Sequence, residues 1–182
     1  MILHGVTWDD YRRIMEIRGD RSAPRITYAD GRLEIRRPSK AHEFLKSLIG
    51  RLVEVYCLEV GVEFSTFGSW TLEDQDVKHG VEPDECYVFG PARVTVRPDL
   101  AIEVVWTSGG LSKLDAYRAF GVREVWFWRR GVITPYVLRD DTYVETAASE
   151  VLPGIGLVQL AGFLDRPTTS EAMRAYRDVL RV

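Results

Sequence analysis

Leu45, Leu48, Ile49, Leu52 and Tyr56 recur at the i, i+3, i+4, i+7 spacing of a helix with one buried face. Pro38-Ser39 opens this segment and Gly61 closes it, so the pattern predicts a long helix over residues 40–60. Ahead of it, Ile26/Tyr28 and Leu33/Ile35 alternate on either side of Asp30-Gly31, which predicts a hairpin with a two-residue turn. "TWDDYRRIMEIRG" reads as a short helix, with Thr7 as N-cap, acids in its first turn and Gly19 as its stop. Beyond residue 60 the period shortens. "VEFST", "SWTLED" and, after the turn-rich "DQDVKHG", "PDECYVF" read as short strands. "PDLAIEVVW" is almost wholly apolar and so reads as a strand central in a sheet. "TSGG" is a loop and "LSKLDAYRAFG" a compact helix closed by Gly121. "REVWFW" and "VITPYVLR" pair across Arg130-Gly131, "TYVETA" follows, and "LPGIGLVQLAGFL" with a polar helix completes the chain. This order predicts one α/β domain over residues 1–182, with a mixed central β-sheet flanked by helices.

Composition changes little in that picture: 182 residues, 46% hydrophobic and 28% charged, suit a globular domain with a real core. No apolar run reaches the ~18 residues of a membrane span, and "MILHGVTWDDY" has no signal-peptide pattern. Cys57 and Cys86 are too few for a disulfide framework or a zinc site, so a cytoplasmic setting with reduced thiols is expected. Charge is more informative. The net of −3 argues against a protein that simply coats nucleic acid, and residues 61–110 carry 3 Lys/Arg against 9 Asp/Glu. That acidic block is either a solvated edge or a cation site.

Two acids stand out within it. Alternation along "DLAIEVVW" puts Asp99, Ala101, Glu103 and Val105 on one face, and Glu103 falls where both faces demand burial. An unpaired carboxylate there is costly, so it needs either an ion-pair partner or a metal. Asp99 lies about 13 Å along the strand, too far to share an ion. A neighbouring strand is only about 4.8 Å away, and Asp84, following Pro83 at a strand start, can come from one. Asp99 is then a strand-end or turn residue. Lys113 lies in the first turn of the next helix, on a stripe with Ala116, Tyr117 and Phe120, which turns its ammonium inward. Such a lysine either snorkels to the surface or sits beside the acids, where it can orient water and offset negative charge.

These residues resemble a known pattern. "EPDECYV" and "PDLAIEVV" after a long helix are similar to the PD-(D/E)XK, restriction-endonuclease-like nucleases. More specifically the chain resembles the Uma family of restriction endonucleases, through "TWDDY", "DGRLEI", "PSKAH", "EPDECYV", "PDLAIEVV", "KLDAYRAFGVREVWFW" and "LPGIGL" in that order. The resemblance implies a restriction-endonuclease-like fold and a metal-dependent endonuclease acting on nucleic acid, with DNA the expected substrate. It implies Mg²⁺, with Mn²⁺ as a substitute, held by Asp84, Glu103 and the main-chain carbonyl of Val104. Val105 stands where the superfamily usually has its lysine, and Lys113 from the following helix takes that role. The family's P-S-x-x-H element falls on Pro38, Ser39 and His42, which makes His42 a catalytic candidate. Arg32 stands where the family often carries Glu, and "WTSGG" replaces its usual loop.

His42 faces the core side of its helix, so it either supports the Ser39 cap or contacts the metal's ligands or a substrate phosphate. Glu43 is a lesser candidate on a more polar flank, and Glu82 and Glu85 are expected to turn away from Asp84 into solvent or outer-shell positions. Trp126/Trp128 and Val125/Phe127 point to opposite faces of a strand covered on both sides, with a dimer surface as the other reading. A homodimer would suit two-strand cleavage. Two other functions stay open: a non-catalytic nucleic-acid-binding or protein-interaction module that keeps the nuclease fold, and a metal-free hydrolase using Asp84 and Glu103 as an acid/base pair.

Overall fold

The structure is a computed structural model that describes residues 1–91, 95–106 and 113–181. The loop read at "TSGG" lies outside the described residues. Helix α1 (Trp8–Arg18) begins with a reciprocal capping box between Thr7 and Asp10, and its last turn is closed by Gly19. Helix α2 (Lys40–Val60) starts where Ser39 Oγ accepts from the His42 amide, and ends at Gly61 in the left-handed conformation. Between them β2 (Arg25–Ala29) and β3 (Arg32–Arg36) pair through an Asp30-Gly31 turn with both residues at positive φ. These elements fall where the apolar pattern and its cap and turn signals place them.

The expected mixed, helix-flanked sheet is present, and the strands form a second sheet beside it. Strand β1 (Ile2–His4), β3, β2, β6 (His79–Val81) and β5 (Leu72–Asp74) form an antiparallel five-stranded sheet, in the order β1-β3-β2-β6-β5. The second sheet is mixed and six-stranded, in the order β11-β10-β9-β8-β7-β4. Its strands are β4 (Phe64–Thr66), β7 (Glu85–Phe89), β8 (Leu100–Val104), β9 (Glu124–Arg129), β10 (Val132–Arg139) and β11 (Thr142–Glu145). Among the described residues only β8 and β9 run parallel, and α3 (Lys113–Ala119) lies in the crossover between them. Strand β6 was hidden within the turn-rich "DQDVKHG": three residues around a glycine carry no alternation to read.

Both faces of β8 and β9 are covered, which is why they read as continuous apolar runs. On one face Leu100, Ile102, Val104, Trp126 and Trp128 pack under α2 with α4 (Leu157–Ala161) and α5 (Thr169–Leu180). On the other, Ala101 and Val125 meet α3 and the Leu72 and Val81 side chains of the five-stranded sheet. Trp126 is wholly buried in an interior strand and so serves as core; it forms no dimer surface. A third cluster, Trp8, Tyr11, Ile26, Tyr28 and Leu33, fixes α1 on the five-stranded sheet. No helix of the structure, among the described residues, is long and apolar enough to cross a membrane.

Candidate active site

The chain leaves the five-stranded sheet at Val81 and joins the six-stranded one at Glu85, so Glu82, Pro83 and Asp84 form the bridge between them. Polar groups in that crossing need internal partners, and each acid finds its own. Glu82 is buried; of the two placements expected for it, solvent or an outer-shell position, this excludes solvent. It accepts from the Ile26 amide (3.1 Å), Thr71 Oγ1 (2.8 Å) and Arg18 Nη1 (2.5 Å), because it precedes the strand and escapes its alternation. Glu85, the first residue of β7, turns toward α2, where its carboxylate lies 3.5 Å from Lys46 Nζ.

Asp84 is held against the end of β8. Its amide donates to the Ile102 carbonyl at 3.2 Å, and its Oδ2 accepts from the Val104 amide at 2.9 Å. The register pairs Glu85 with Ile102, so the next step opposes Asp84 to Glu103. Both carboxylates are fully buried, and each lies 3.6 Å from the same atom, Arg36 Nη2 at the end of β3. The structure thus brings Asp84, just before β7, together with Glu103 of β8. Asp99 stays apart at the far end of β8, accepting from the Phe89 amide at 2.9 Å.

Helix α3 grips Glu103 with two residues one turn apart. Lys113 Nζ donates to Oε1 at 2.6 Å and to Oε2 at 2.7 Å, and also approaches the Glu82 carbonyl at 3.4 Å. Tyr117 donates to Oε1 at 2.5 Å. The inward stripe of Lys113, Ala116 and Tyr117 is the one expected from their spacing. From α2, His42 Nε2 lies 3.0 Å from Asp84 Oδ2 and 3.2 Å from the Val104 carbonyl. Both neighbours are acceptors, so Nε2 carries the proton. Glu43 stays half exposed, 3.4 Å from Lys46, while Lys46 Nζ donates to the Asp84 carbonyl at 3.2 Å.

Burial raises the Asp84 carboxyl, but the His42 hydrogen bond and the charges of Lys113 and Arg36 outweigh it and hold the group well below the usual carboxylate range. At Glu103 burial prevails over Lys113 and Arg36, and the Asp84 charge adds to it, so this carboxyl is raised. Of the pair, Asp84 is the firmly ionised member. Tyr117, wholly buried beside Glu103, has its hydroxyl pushed up and remains a donor.

The donor set is one of hard oxygens. Among the described residues no three His, Cys, Asp or Glu side chains gather as a ready-made metal cage. Mg²⁺ does not require one: it binds through one or two carboxylates and keeps its waters. Asp84 Oδ1 is buried without a hydrogen-bond partner and lies near the same guanidinium nitrogen as Glu103. Asp84 Oδ1 shares Arg36 Nη2 with Glu103 Oε2, and the Val104 carbonyl shares His42 Nε2 with Asp84 Oδ2, a set of oxygens of the kind such an ion takes. Three residues at the site were not singled out from sequence: Arg36, Lys46 and Tyr117. Tyr117 had a readable signal, four residues beyond Lys113 on the same stripe. Arg36 had none, because its proximity depends on how the two sheets meet.

The Uma2 family, described as "Putative restriction endonuclease", matches residues 8–162. In fold the chain is similar to the crystal structure of "a putative nuclease belonging to DUF820" from Anabaena variabilis. That likeness has a TM-score of 0.50 at 14% identity and covers 96% of this chain and 99% of the other. No curated protein matches the chain. With residues 8–162 matched out of 182, the chain belongs to the Uma2 family.

Proposed function

We propose that this protein is a divalent-metal-dependent endonuclease that hydrolyses phosphodiester bonds of DNA. The observation that carries the reading is the meeting of Asp84 and Glu103, both wholly buried, where the residue leading into β7 lies against β8, with Lys113 fixed on Glu103. Asp84, Glu103 and the Val104 carbonyl would hold Mg²⁺ or Mn²⁺, which when bound lowers the pKa of water and offsets phosphate charge. The chain's own residues supply the rest. His42 and the Val104 amide fix the direction of the Asp84 carboxylate, and Lys46 anchors its backbone. Tyr117 keeps Glu103 oriented while Lys113 shifts from it to the attacking water or the scissile phosphate, where an ammonium offsets developing charge. A homodimer would present two such sites to the two strands of a duplex.

The test is nicking of supercoiled plasmid with Mg²⁺ or Mn²⁺. Wild type should nick, EDTA should abolish it, Glu103→Ala should fall to background, and Lys113→Ala should lose about 10²–10³-fold. Equal cleavage by all three proteins would refute the site. A second reading has its own observation: Glu103 is already satisfied by Lys113 and Tyr117 within the protein, as a non-catalytic nucleic-acid-binding module would need. DNA binding without Mn²⁺ uptake or nicking would favour it. EDTA-resistant cleavage would instead point to a metal-free acid/base pair, which family membership does not support.

A further inference from the structure

Two cations neutralise the acid pair, and they are held very differently. Lys113 is 8% exposed and makes three contacts of 2.6, 2.7 and 3.4 Å to Glu103 and the Glu82 carbonyl. Arg36 is 28% exposed, lies 3.6 Å from each carboxylate, and its Nη2 makes no hydrogen bond among the described residues. The guanidinium therefore sits between Asp84 Oδ1 and Glu103 Oε2 by charge alone, without the paired geometry that arginine and carboxylate adopt when they bind each other well. Lys113 and Arg36 already balance the two acids. Adding a divalent cation with both in place would bury two uncompensated positive charges, so one must leave. Arg36 is the weaker-held and the nearer to solvent.

We propose that Arg36 is a resident counter-ion that holds the divalent-cation position between Asp84 and Glu103, and that metal binding displaces it outward to contact a substrate phosphate. The inference rests on the metal-site reading above and adds a coupling to it. The metal competes with a built-in cation, and the expelled guanidinium, at the end of β3 beside Arg37, becomes a phosphate ligand. Metal and nucleic acid then favour each other's binding, because DNA stabilises the arginine position that leaves the acids free.

Calorimetric titration with Mn²⁺ alone tests the competition, using the wild type, Arg36→Met, Arg36→Lys and Glu103→Gln. Arg36→Met should bind Mn²⁺ about tenfold more tightly or better, because the competing charge is gone. Arg36→Lys should lie between it and the wild type, and Glu103→Gln should bind least. Should the methionine variant fail to fold, Arg36→Gln keeps most of the stem and carries the same expectation. Affinity unchanged or weakened in both uncharged variants overturns the competition, even when wild-type binding and its loss in Glu103→Gln uphold the metal site. No Mn²⁺ uptake by any of them overturns the metal site and the competition with it. The second half is read with a duplex carrying hydrolysis-resistant linkages, at saturating Mn²⁺. Arg36→Met should bind it several-fold more weakly, with a salt slope smaller by about one. An unchanged slope and affinity overturn the phosphate contact.

Discussion

Glu103 keeps a carboxylate in a core strand because Lys113 and Tyr117 occupy its oxygens, so Lys113 bears on stability as well as on chemistry. Removing one member of a buried pair strands the other, at a cost of about 3–5 kcal/mol. Lys113→Met should therefore lower the urea midpoint sharply, whereas adding Glu103→Gln to it should restore most of the loss, since no charge is then left unpaired. Full stability in Lys113→Met alone would mean that Glu103 is already neutral in the folded protein, the limit toward which burial pushes it. His42 offers a separate measurement. With Nε2 given to Asp84 and the Val104 carbonyl, its Nδ1 lacks a hydrogen bond among the described residues. His42→Asn shortens the side chain and should loosen Asp84, weakening Mn²⁺ uptake without abolishing it.

At the scale of elements, the fold around the site depends on one close fit and one helix cap. Gly80 of β6 faces Tyr11 of α1 so closely that an added Cβ would lie 2.2 Å from the phenol oxygen. Gly80→Ala should cost about 1–3 kcal/mol by overpacking and shift the near-UV signal of Trp8, which packs on Tyr11. An unchanged spectrum and midpoint would mean that Tyr11 has room to move. The Ser39 cap starts α2 at the turn that carries His42, and Ser39→Ala should cost about 1 kcal/mol. Helices, caps and hairpins such as these were legible in the sequence because their causes are local: a period, a capping hydroxyl, an Asp-Gly turn. The Asp84–Glu103 meeting was legible too, since one strand's alternation and one strand spacing sufficed. The split into two sheets was not, because β6 is three residues long and is fixed by its non-local pairing, with Tyr28 of β2 on one side and β5 on the other. Arg36 and the buried Glu82 followed from that split and stayed hidden with it.

Across the whole molecule, the two faces of the six-stranded sheet each bury a thiol. Cys57 of α2 belongs to the core under one face, and Cys86 of β7 is turned to the other side, its Sγ 3.3 Å from the Gly68 carbonyl. Burial pushes both thiols from an ordinary 9.0 up to about 12. Burial likewise raises the hydroxyls of Tyr11, Tyr87, Tyr117, Tyr143 and Tyr176, which between them reach all three cores. The sign of the linkage is the same for every one of these groups. Above the ordinary thiol value the unfolded chain has released protons that the folded chain still holds. The unfolded state then binds fewer protons, and stability falls as pH rises. The thiol contribution is complete below 9.0 and is lost progressively up to about 12. Urea midpoints measured from pH 8 to 11 should therefore decline, and a Cys57→Ala, Cys86→Ala double variant should decline less steeply. The same burial makes both thiols inert at pH 8 until denaturant opens the sheet, so labelling by a disulfide reagent should follow the unfolding curve. Rapid labelling of the native protein would show that the sheet opens locally without global unfolding, and with it the buried acids would be open to solvent.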